Sequence, residues 1–104
     1  MDEKRARYLP LDRKGCHILA DTLGDTPLTV ISVHQLQRGL CRAYVAGDPA
    51  HFAGAIVQGD AAPDEPTAYG ADPDVLWDLL QAVSGWRCVD APTACAAPLG
   101  ELLQ

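Results

Sequence analysis

The chain has 104 residues, 48% of them apolar, and a formal net charge of −6, enough for one domain that buries a core without staples. Leu, Ile, Val and Phe account for 24 residues, above the fraction at which disorder is the better expectation. Residues 15–104 hold eleven acidic and three basic groups against three and five in residues 1–14, a sign that excludes the basic patch needed to displace counterions from nucleic acid.

In chain order, residues 1–9 read as a loose lead-in with a solvated basic start. A first helix is predicted from Asp12 or Gly15 to Leu23, on the i, i+3, i+4, i+7 stripe of Cys16, Leu19, Ala20 and Leu23, with Gly24 ending it. Asp25-Thr26-Pro27 supplies a second cap and a proline for the first turn. The Leu28–Val33 stretch that follows is β-branched and would suit a strand. The capping chemistry, the spacing of Val33, Leu36 and Leu40, and Gly39 as a stop favour a helix ending near Arg38.

Residues 41–46 then read as a strand, Gly47-Asp48-Pro49 as a turn, and residues 53–58 as a second strand forming an antiparallel hairpin with the first. Residues 59–66, with two prolines and three acids, predict an exposed, mobile acidic connection. A short strand at Thr67–Tyr69 leads into a third helix. Asp72 is its N-cap, Pro73 takes the first helical position and Gly85 is a left-handed stop. Val75, Leu76, Leu79, Leu80 and Val83 share one arc of that helix. Trp86, Cys88 and Val89 offer a final strand, and Pro92 could open a short helix broken at Pro98 and Gly100. The predicted fold is one α/β (α+β) domain, a small, mainly antiparallel mixed sheet with helices on both faces. Cys41, Ala43 and Val45 would face one side and Tyr44 and Ala46 the other.

The strand Arg42-Ala-Tyr-Val-Ala46, the turn Gly47-Asp48-Pro49, and the helix start Gly70-Ala-Asp-Pro-Asp74 leading to Trp86-Arg-Cys-Val89 carry a resemblance. In order α-α-β-β-β-α-β they resemble the N-terminal part of a GNAT-type N-acetyltransferase, in the glycine N-acyltransferase-like branch, over residues 10–100. The resemblance implies a partial GNAT fold. That family holds acyl-coenzyme A in a Q/R-x-x-G-x-G/A loop at a helix N-terminus. The motif is absent here: Leu36, Ile56 and Ala82 stand three residues before Gly39, Gly59 and Gly85. Asp72 and Asp74 occupy the corresponding helix start, where they would use the dipole themselves and repel a pyrophosphate. The expectation is a substrate-side or structural domain that binds no cofactor itself, acetyl- or acyl-coenzyme A belonging to a C-terminal acyltransferase domain beyond these residues. The competing reading is a stand-alone interaction module, forming a homodimer through a sheet edge near Val89 or through Trp77.

Candidate contacts are few. Trp77 falls outside the apolar arc of its helix, as a partner contact or as packing over a loop. Arg42 and Arg87, with Tyr44, read as polar groups on strands, and the two arginines could together receive an acidic ligand or pair with local acids. Trp86 reads as core. Asp72 and Asp74 read as cap and first-turn charges and Asp78 as solvent face. Cys16–His17, and Cys41 with His34 or His51, raise a nucleophile or metal reading, but neighbouring helix positions point about 100° apart and the spacing gives zinc no template. No catalytic, cofactor or metal residues are therefore assigned. With no C-x-x-C pair the four cysteines read as thiols. The absence of an 18–20-residue apolar run or a signal peptide predicts a cytoplasmic protein without membrane partners.

Overall fold

The computed structural model describes residues 8–90. Its elements are α1 (Arg13–Leu23), α2 (Val30–Arg38), β1 (Cys41–Asp48), β2 (His51–Gly59), β3 (Thr67–Gly70) and α3 (Pro73–Ala82). The three strands form an antiparallel sheet in the order β1-β2-β3. Helices α1 and α2 cover one face and α3 the other, giving the small α+β domain expected.

Both ends of α1 follow from local chemistry. The Asp12 carboxylate accepts a 2.7 Å hydrogen bond from the Gly15 N–H, meeting one donor that the first turn leaves orphaned. Gly24, at φ 69°, stops the helix. Helix α2 starts later than its Asp-Thr-Pro signal. Residues 27–29 make a turn, and Val30 opens the helix, its N–H donating to Thr26 O at 2.9 Å. The buried Thr29 hydroxyl is the reason: it accepts from the Thr26 N–H at 3.0 Å and donates to Gly24 O, tying the turn to the end of α1. Val33 and Leu36 are buried and Gly39 is left-handed at φ 70°, as expected. Leu40 is not buried: it lies past that stop, outside the helical period, and is 46% exposed.

The hairpin strands are longer than predicted and reverse at Pro49–Ala50, with the Asp48 carboxylate accepting from the Ala50 N–H at 2.8 Å. A register shift separates Ala46 from Gly47. Alternation sorts the side chains as the sequence implies: Cys41, Ala43 and Val45 join the α1–α2 cluster, Tyr44 and Ala46 the α3 cluster. Central strand β2 is buried from Gly54 to Gly59. Gly54 lets α3 approach β2 closely; a Cβ there would lie 3.0 Å from Val75 Cγ1 and 3.1 Å from Leu76 Cδ2.

Asp72 caps α3 by accepting from the Asp74 N–H at 2.9 Å, with Pro73 in the first turn. The helix ends at Ala82, before Gly85, because Val83 turns extended into the core while the Trp86 indole N–H donates to Leu80 O at 2.9 Å. Gly85, at φ 84°, serves the turn that follows. The strand expected at residues 86–89 does not form. The N–H groups of Arg87 and Cys88 donate instead to Asp64 O, at 2.8 and 3.2 Å. The sheet is joined only at Asp90, by an isolated parallel bridge to Thr67. Residues 60–66 are therefore not a free connection, although most are exposed: Asp64 O holds the chain after α3, and buried Pro66 accepts from the Asp90 N–H at 3.0 Å. The basic start of the lead-in and the helix expected at Pro92 lie outside the described residues.

Candidate functional site

The four residues proposed as contacts occupy four different settings. Tyr44 is 4% exposed and lies beneath α3 as part of the core. Trp77 is half-buried, and its ring meets that of Trp86 edge-on, with centroids 6.4 Å apart and planes at 86°. That pair covers the turn after α3, an arrangement worth about 0.5–1.5 kcal/mol beyond area burial. Trp86 is half-buried at the edge of the core rather than within it. Arg42 is exposed on β1, and Arg87 is exposed on the irregular segment after α3 rather than on a strand. The two arginines thus come from different elements, and the pocket that Arg42 lines is not walled by Arg87.

That pocket holds about 260 Å³ and is bounded by Arg42, Gln58, Asp60, Pro63 and Ser84. Gln58, which the sequence reading passed over, is its floor. The side chain is 5% exposed, sits opposite Arg42 in register, and donates through Nε2 to Pro63 O and Ser84 O, each at 2.8 Å. A buried amide is tolerated when its hydrogen bonds are met. Here one amide fastens both the β2–β3 connection and the turn after α3 to the sheet. A polar residue at an inward position of the most apolar strand was the available signal.

A second cavity, of about 500 Å³, opens beside the bulge of the hairpin, with Tyr8, Val45, Val75 and Asp78 among its walls. Asp78 is half-buried there, not on the solvent face as expected. Asp72 and Asp74 keep their predicted places at the start of α3. The first-turn amide of Asp74 already points at a carboxylate.

On the other face, Cys16 is buried and its thiol lies 3.8 Å from Leu11 O, while Cys41 is half-buried on β1. Burial, then the charges of Cys16 and Asp60, push the Cys41 thiol up to about 12. Burial and Asp12 raise Cys16. Such thiols are protonated at neutral pH and are poor nucleophiles. His17, His34 and His51 are all exposed. Among the described residues, no group of three or more His, Cys, Asp or Glu side chains is placed to hold a metal ion. Tyr69 links the layers by donating to Ser32 Oγ at 2.7 Å, and its burial raises the phenol above its ordinary value. No helix among the described residues is long and apolar enough to cross a membrane.

No family model, curated protein or solved structure matches the chain. A functional reading rests on its own geometry and on the order of its elements. The polar pocket can accept small hydrogen-bonding groups, and the exposed residues at the start of α2 offer apolar contact: Leu28 is 88% exposed, Ile31 72% and Val30 51%.

Proposed function

We propose that this chain is the domain of a GNAT-like acyltransferase that does not bind acyl-coenzyme A, contributing to the acceptor side or to its framework. The carrying observation is at the start of α3. In a donor domain, bare amides at that end would face a pyrophosphate. Here the Asp72 carboxylate takes the Asp74 N–H, and Asp74 adds a second negative charge in the first turn. An anion approaching this end meets two carboxylates before it meets the helix dipole. The order of elements supports the same reading as far as two helices, three antiparallel strands and a third helix, the final strand being reduced to one parallel bridge between Asp90 and Thr67.

The test has two arms. Calorimetric titration of acetyl-coenzyme A into this chain is expected to give no binding. The reading frame that encodes it is expected to carry a Q/R-x-x-G-x-G/A motif beyond the codon for residue 104. Micromolar binding by this chain, or a frame without such a motif, overturns the proposal.

The exposure of Leu28, Val30 and Ile31 at the start of α2 favours a second reading, a non-catalytic module that self-associates. The sheet edge suggested for that role has no strand at residues 86–89 to supply it, so this reading moves to the start of α2.

A further inference from the structure

We propose that Cys16 and Cys41 form a dithiol site that a small, carboxylate-bearing disulfide, such as oxidised glutathione, closes into an intramolecular disulfide. The two thiols come from different elements, α1 and β1, and both line one cavity of about 310 Å³ with Leu11, Leu36, Arg13 and Arg38. They also belong to one apolar cluster, in which Cys41 packs against the buried residues that include Cys16. The backbone ties the segment before α1 to β1. The Leu11 N–H donates to Ala43 O at 2.8 Å, two residues along β1 from Cys41, and Leu11 O is the atom that the Cys16 thiol faces. Arg13 and Arg38 are exposed and line the same cavity, so their guanidinium forks can receive the carboxylates of such an oxidant.

Half-buried Cys41 is the accessible partner. Its proton goes to solvent, and the thiolate attacks one sulfur of the small disulfide, releasing the other half as a thiolate that takes up a proton. Cys16, deprotonated in turn, attacks the Cys41 sulfur of the mixed disulfide and expels the second small thiol. Two protein thiols are oxidised to one S–S bond, and one small disulfide is reduced to two thiols. Burial opposes both thiolates, Asp12 adding to it at Cys16 and Asp60 at Cys41. Because both thiols are raised, closure is slow at pH 7 and its rate climbs about tenfold per pH unit toward pH 9.

The test uses the full chain carrying Cys88→Ser and Cys95→Ser, incubated with oxidised glutathione at pH 7 to 9. The expected result is a monomer on a non-reducing gel that has lost both free thiols and two hydrogens of mass. Trypsin, which cuts after Lys14, Arg38 and Arg42, then releases peptide 15–38 linked to peptide 39–42. Stable glutathione adducts without closure, a link found only in dimers, or two thiols still free at pH 9 each overturn the proposal. Should the double variant fail to fold, the same peptide map on the unaltered chain decides between these outcomes.

Discussion

A carboxamide on a central strand persists only where its donors are met, and Gln58 meets its own by holding two separate stretches of backbone. Replacing it with Leu keeps the volume and removes both hydrogen bonds, leaving Pro63 O and Ser84 O without that partner. At a net value of about 0.5–1.5 kcal/mol per hydrogen bond, Gln58→Leu is expected to lower the free energy of unfolding by about 2 kcal/mol, measured by urea denaturation. At this scale the apolar positions were the legible ones. Period-two alternation placed Ala43 and Tyr44 on opposite faces correctly. It could not reveal that Gln58 would be satisfied by two carbonyls, one of them 26 residues away. Nor could it show Asp78 half-buried in the wall of a cavity, because both depend on contacts distant in sequence.

Among the elements, helix starts carried most of the information. Asp12 and Asp72 act as the N-caps that their sequence settings imply. Asp72→Ala is expected to lower stability by about 1 kcal/mol, read from the urea midpoint at unchanged m-value. Asp72→Asn keeps an acceptor for the Asp74 N–H and should lose much less. The ends of elements were read less well, for identifiable reasons. Helix α2 opens at Val30 because the Thr29 hydroxyl draws the preceding turn onto Gly24, a competition of side chain with backbone that propensity does not register. The predicted strand at residues 86–89 is β-favouring by composition, but its N–H groups at Arg87 and Cys88 are taken by Asp64.

For the whole molecule, a three-stranded sheet with helices on each side is what the order of amphipathic segments demanded, and the two apolar clusters follow from it. Partner contacts are another matter: Leu28 and Ile31 occupy positions that read as helix start or strand, and only the folded chain shows them 88% and 72% exposed. If this surface mediates self-association, light scattering at high concentration gives a dimer, and Leu28→Lys with Ile31→Lys gives a monomer of unchanged thermal stability. A strict monomer before substitution removes the self-association reading.

The edge-on rings of Trp77 and Trp86 are the chain's two indoles, and both belong to the α3 side of the sheet. Tryptophan emission therefore watches one wall of the domain and is blind to the other. Fraying of α1 and α2 would lower far-ultraviolet ellipticity while leaving that light unchanged, so the lag between the two signals distinguishes one-sided loosening from global melting without any added label.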